Sequence, residues 1–176
     1  MPKKSQPKTY FIQVVDRPAR KLILKRGIKA YHYFEYLQEV GPNVNDELKA
    51  IKGNLFEPCG VWSPENLRKP GTSEFAMGVE VPTDFKEKIP DGFEIISLKP
   101  CKMMVFQGPT YDNDNKSAKA IMDLWAMLDE FKPEIYGYVW ADEDGPRLEL
   151  HPYAYRGHIE LLPVRQLKIK VKSTYL

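Results

Sequence analysis

Residues 134–165, EIYGYVWADEDGPRLELHPYAYRGHIELLPVR, read as three short strands with turn chemistry between them. Side chains alternate across a strand with period two, which places Tyr136, Tyr138 and Trp140 on one face of the first. Asp142 to Pro146 form a turn. Arg147, Glu149 and His151 then alternate with Leu148 and Leu150. Past Tyr153 and Tyr155, a turn at Arg156-Gly157 leads into HIELLPVR, where Ile159 and Leu161 alternate with Glu160 and Leu162. Carboxylates spaced among this many rings suggest a site as well as a core. Ring faces attract positive charge, so an acid among them suits a bulky, flat ligand, and a cationic one in particular.

Upstream of this stretch, Ser117 to Phe131 is the clearest helix in the chain. Its apolar stripe is Ile121, Leu124, Trp125, Leu128 and Phe131, which makes Trp125 a core residue. Pro133 stops it. Phe93 to Leu98 and Cys101 to Gln107 read as strands separated by Pro100, with Pro82, Pro90 and Gly92 marking a junction before them. Earlier still, Tyr10 to Val15 and Lys21 to Lys25 read as a strand pair turned at Asp16-Arg17-Pro18. Ala30 to Val40 has helical spacing. Gly41-Pro42 must break it, because proline lacks the amide hydrogen. Val44, Leu48 and Ile51 continue the stripe. Gly60 to Trp62 is a short strand. In Glu74 to Val81, Phe75, Met77, Val79 and Val81 alternate with Glu74, Ala76, Gly78 and Glu80. That second face is expected to be an ordinary solvent face; the sharper alternative is a floor that leaves room for a ligand.

The order strand, helix, strand, strand therefore occurs twice. The pattern predicts an α+β fold of duplicated β-α-β-β units, an antiparallel sheet with helices on one face. The other face is then left for solvent, a partner or a ligand.

At 176 residues and 43% hydrophobic, the chain is one domain or one domain of two similar halves. A net charge of +2 with scattered lysines and arginines offers no basic face for a DNA reader. Cys59 and Cys101 form no CxxC, and read as two reduced thiols of a cytoplasmic protein. No signal peptide, no bilayer-spanning run, no HExxH and no phosphate-binding glycine motif is present in the sequence. Neither a metal nor a cofactor is indicated. Glu80, Glu149 and Glu160 remain, each alternating with apolar neighbours. A glutamate enclosed by Trp62, Tyr138, Trp140 or Tyr153 needs a partner, because burying its charge alone is expensive. A ligand cation would serve. With its pKa raised by burial, the same carboxyl could instead activate water.

The segments GVWSPENLRKPGTSEFAMGVEVP, KIPDGFEIISLKPCKMMVFQGPTYD and IYGYVWADEDGPRLELHPYAYRGHIELLPVR resemble the effector-binding domain at the C-terminus of AraC-type transcription regulators, which also occurs alone as GyrI-like (gyrase-inhibitor-like) proteins. The most telling pieces are KPGTSEF…GVEVP, IPDGFE, MMVFQG and YRGHIELLPVR. The likeness covers residues 20–165, with halves at about 20–82 and 93–165. Residues 1–19 form an N-terminal segment and first strand, and 166–176 a Lys-rich tail that reads as an edge strand.

The resemblance implies two halves about a pseudo-twofold ligand groove that binds lipophilic, often cationic small molecules, as multidrug-binding domains of transcription regulation do. Glu149 corresponds by position to the acid of that pocket, with Glu160 second. Trp62, Tyr111, Tyr138, Trp140 and Tyr153 would supply stacking surface, with Glu80 a further acid. No residue is assigned a catalytic role on this reading. Some stand-alone relatives hydrolyse strained electrophiles through a glutamate, and then Glu149 or Glu160 would act. Protein inhibition is the third reading, and a protein partner or a homodimer stays open. The nineteen residues ahead of the resemblance are too few for helix-turn-helix motifs, so direct DNA binding by this chain is not expected.

Overall fold

The computed structural model describes residues 8–168. Nine strands form one antiparallel sheet. They are β1 (Phe11–Arg17), β2 (Arg20–Arg26), β3 (Cys59–Trp62), β4 (Phe75–Val81), β5 (Glu94–Leu98), β6 (Cys101–Gln107), β7 (Tyr138–Trp140), β8 (Arg147–Leu150) and β9 (Ile159–Gln166). Their order is β1-β6-β9-β8-β3-β4-β2-β5, with β7 pairing β9 beside that path. The helices are α1 (Tyr33–Val40), α2 (Val44–Lys49) and α3 (Ser117–Glu130). The two halves are β2-α1-α2-β3-β4 and β6-α3-β8-β9, joined at the centre where β3 pairs β8.

The helices lie on one face. Ile23, Val79, Met77 and Phe75 share a side of β2 and β4 by register, and pack against Tyr36, Val44 and Leu48 of α1 and α2. Met104, Phe106 and Val164 continue the same side on β6 and β9, and pack against Leu124 and Leu128 of α3. Removing each such large side chain from water is worth roughly 1.5–3 kcal/mol, which is what commits these short helices to the sheet.

The opposite face is not open to solvent. Leu22, Leu24, Val61, Met103, Leu148 and Leu161 form one buried cluster there, so the sheet curls onto itself. All seven residues of β4 are buried. The expectation of a solvent face at Ala76, Gly78 and Glu80 is therefore corrected: this face is buried, and a Cβ at Gly78 would stand 2.8 Å from the Ile23 carbonyl oxygen of β2. Glu80 is only 3% exposed and accepts from Arg20 Nε at 2.5 Å and from Arg17 Nη2. Arg17 also lies over the Phe56 ring at 4.2 Å. Burial, then the charge of Arg20, lowers the Arg17 pKa from its usual value.

Two further sequence expectations change, and a third falls outside the described residues. β1 does not pair with β2. It pairs with β6, while β2 takes β4 and β5, because Arg17 and Arg20 both turn inward to Glu80 and make a corner of Pro18-Ala19 instead of a hairpin. Tyr136 is not on a strand. Pro133–Tyr136 is a 3-10 turn whose Tyr136 ring stacks on Phe131. β9 ends at Gln166, and the strand expected at Ile169 and Val171 lies outside the described residues.

The turn into β9 depends on Gly157. Its φ is +83°, and a Cβ there would stand 2.8 Å from the Pro109 carbonyl oxygen and closer still to that of Gly108. Only glycine tolerates both conditions. Gly157→Ala is expected to cost about 1–3 kcal/mol from backbone strain alone, and the clash adds to it. An unchanged urea midpoint would contradict this packing.

Candidate functional site

α1 and α2 cover one half of the sheet and α3 the other, and between them a groove of about 570 Å³ runs over the central strands. Trp62 on β3, Arg147 on β8, Trp140 on β7, Trp125 and Leu128 on α3, and Tyr31 ahead of α1 contribute to its walls. The Tyr31 approach is fixed locally: its amide donates to Glu35 at 2.9 Å, and Glu39 accepts from the amides of Ile28 and Lys29. Across the groove, Arg68 bonds the Ser63 carbonyl at 3.0 Å and pairs with Glu74 at 2.5 Å, which ties down the loop after β3.

The register of the central strands aligns the chemistry. Gly60 on β3 stands opposite Glu149 on β8, which stands opposite Glu160 on β9. One row along, Trp62 faces Arg147. Gly60 leaves room here, for a Cβ would press on the Phe75 ring at 3.3 Å and on Glu149 at 3.5 Å. Two carboxylates opposed across a strand pair repel and need compensation. Arg147 supplies most of it. Its Nε donates to Glu160 at 2.5 Å and its Nη2 to the same oxygen. Trp125 Nε1 donates to the other Glu160 oxygen, and His158 Nε2 lies 3.0 Å from it. Glu160 is fully buried.

The Arg147 guanidinium also lies over two rings, 5.3 Å from the Trp62 centroid and 5.6 Å from that of Trp125. The rings stand edge to face, 6.3 Å apart. The structure thus already holds a cation in an aromatic cage with a carboxylate behind it.

Glu149 has no such partner. His158 Nε2 is 3.7 Å away, and 16% of the Glu149 side chain is exposed. Burial foremost, then the negative charge of Glu160, pushes its pKa up to about 8 against the pull of Arg147. It is a carboxyl group that gains or loses its proton near neutrality. His158 is fully buried, with Nδ1 lacking a partner. Burial raises Cys59 to about 12, so it stays a thiol beneath the sheet. Among the described residues no group of three or more His, Cys, Asp or Glu side chains is placed to hold a metal ion. No helix among them is long and apolar enough to cross a membrane.

No protein-family model matches this sequence, and no curated protein matches it either. Solved structures do match. SAV2435, solved bound to tetraphenylphosphonium, aligns with a TM-score of 0.56 and 15% identity, over 88% of this chain and 94% of that one. A protein from Staphylococcus aureus MU50 aligns at TM-score 0.54 and 13% identity, over 88% and 98%. The integron cassette protein VCH_CASS2 from Vibrio cholerae aligns at 0.50 and 12%, over 88% and 95%. The chain has the GyrI-like effector-binding fold.

Within the GyrI-like fold, the structure brings together four of the eight residues singled out from sequence. Trp62 and Trp140 line the groove, and Glu149 and Glu160 lie on the same sheet face beside Arg147. The other four fall elsewhere. Glu80 points to the opposite face, where two arginines neutralise it. Tyr138 packs into the core under α3. Tyr111 bonds the Pro152 carbonyl and lines a separate cleft of about 190 Å³ with Tyr10. Tyr153 stacks on Tyr155 beside the β9 turn.

Two residues that line the groove are not among the sequence candidates. Trp125, assigned to the core, lies at the edge of the helix stripe and reaches from core to groove. Arg147 shares a strand face with Glu149, and that alternation was the available signal.

Proposed function

We propose that this protein binds a bulky aromatic cation in the groove between its helical layers. The observation that carries the reading is the Trp62–Trp125 pair holding a guanidinium against Glu160. A site that stabilises one flat cation by ring faces and a carboxylate is chemically suited to another. Trp140 extends the aromatic wall, and the volume of about 570 Å³ is within the range of small-molecule pockets. SAV2435, which shares the fold, was solved with tetraphenylphosphonium. A sensing or sequestering role follows from binding without chemistry. The hydrolytic alternative is less favoured: neither Glu149 nor Glu160 lies on the groove wall, and a general base must reach the water it activates, whereas Glu149 acts on the charge of a bound cation through space.

Calorimetry with tetraphenylphosphonium at pH 8.5 tests the reading, with triphenylphosphine oxide as the neutral control. Glu149→Gln is expected to weaken the phosphonium about tenfold and the neutral compound hardly at all, since a neighbouring charge in a partly buried site is worth one to two kcal/mol. Equal losses for the two compounds would remove Glu149 as counter-charge. No binding of either would remove the groove as a cation site.

A further inference from the structure

We infer that Arg147 is a built-in competitor, occupying the position that the charged centre of a ligand takes, so that binding displaces its guanidinium from Glu160. The inference rests on the cation-binding reading above and deepens it.

The geometry is specific. Glu160 is fully buried and does not reach the groove wall, whereas Arg147 is on that wall and about a third exposed. The guanidinium is the group between the groove and the acid. Its Nε and Nη2 both contact Glu160, and Nη1 has no hydrogen-bond partner among the described residues. Both caging rings, Trp62 and Trp125, already face it. A ligand cation stacked on those rings would share their quadrupole with Arg147 and be repelled by it. One that displaces Arg147 instead gains both rings and the Glu160 charge together.

The displaced side chain has somewhere to go. Four rotatable bonds and its existing exposure let it swing into solvent over Asp142, which also lines the groove. Asp142 lies in the loop that precedes β8, so the chain keeps a carboxylate near the alternative position. Trp125 and His158 remain on Glu160 when Arg147 leaves, so the acid keeps two hydrogen-bonding neighbours.

The arrangement sets specificity. A ligand must exceed what a planar, bidentate guanidinium achieves in the same cage. Small ammonium ions offer one compact charge and little ring contact, and lose that contest. Large delocalised aromatic cations cover Trp62, Trp125 and Trp140 at once, and win it.

The test is tetraphenylphosphonium affinity in the wild type, Arg147→Met and Arg147→Lys. Methionine keeps the stem and removes the cation. Lysine keeps the charge but loses the fork and the planar stack. Arg147→Met is expected to bind at least tenfold tighter than wild type, and Arg147→Lys about threefold tighter. If Arg147→Met fails to fold without ligand, Arg147→Lys alone carries the comparison. Tetramethylammonium is expected to bind Arg147→Met measurably and the wild type not at all. Wild-type binding with equal or weaker binding in both variants overturns the competitor role and leaves the cation site standing. Absence of phosphonium binding in all three proteins overturns the cation site and this inference with it.

Discussion

Glu80→Ala is expected to lower the unfolding free energy by about 3–5 kcal/mol, as removal of one member of a buried ion pair does. Arg20 is 1% exposed and Arg17 9%, and both would lose the one carboxylate they pair with among the described residues. Neither can be rehydrated without opening the curled face of the sheet, where Leu22, Leu24 and Met103 are packed. A loss of that size is a large part of the stability of an ordinary domain. The affinity of the folded protein for phosphonium should stay as it was, because Glu80 projects from the side of the sheet away from the groove. Chemical denaturation followed by calorimetry on the folded fraction measures both. A change in midpoint worth under 1 kcal/mol would mean that the arginines find other partners, and a weakened affinity would place Glu80 in the site after all.

The second large effect concerns pH. The Glu149 pKa is raised from an ordinary 4.5 to about 8 by burial and by Glu160. The folded state therefore holds this proton more tightly than the unfolded chain does. The stability it contributes is complete below about pH 4.5 and is lost as pH rises through about 8. At 1.36 kcal/mol per unit the whole effect is roughly 3–5 kcal/mol. Glu149→Gln should remove this slope and leave the variant more stable than wild type at pH 8.5. Cation binding runs the other way. A bound cation favours the ionised carboxylate, so binding below pH 8 must expel a proton. Affinity is expected to rise about tenfold in all as pH climbs toward 8, matching the loss in Glu149→Gln, and then to level off. Calorimetry in two buffers of different ionisation enthalpy counts that proton directly. A flat affinity profile in the wild type, or a steep one in Glu149→Gln, would show that another group controls the pH response.

Alternation in the sequence carried much of the site. RLEL and HIELLPVR place Glu149 and Glu160 with Arg147 on one side of their strands, and β8 and β9 show that phase. The two strand–helix–strand–strand units were legible for the same reason, since period-two and period-3.6 stripes switch cleanly along the chain. What alternation could not supply was the partner across space. Glu80 looked solvated because its neighbours Ala76 and Gly78 are small. Gly78 is small because the neighbouring strand β2 crowds it, and Arg17 and Arg20 lie sixty or more positions away in sequence. Tyr138 and Trp140 share one alternation and both pack on the cluster under α3, but only Trp140 also lines the groove, and alternation does not distinguish the two. Trp125 obeys the helix stripe and still reaches the groove, since no stripe records where two helical layers stop short of each other.

The strand order has a consequence for how such a molecule comes into being. β1 leads the first half yet pairs with β6 of the second, and β5 leads the second yet pairs with β2 of the first. Each repeat clasps the other by its foremost arm. Val14 meets Met104, ninety positions further on, so a nascent chain cannot seal its N-terminal repeat before the C-terminal one has emerged. Such distant closures make assembly slow relative to a helical bundle of equal size. They also make a lone repeat an incomplete object. Folding of one half is thereby bound to folding of the other, since each supplies the strand that closes its neighbour's edge.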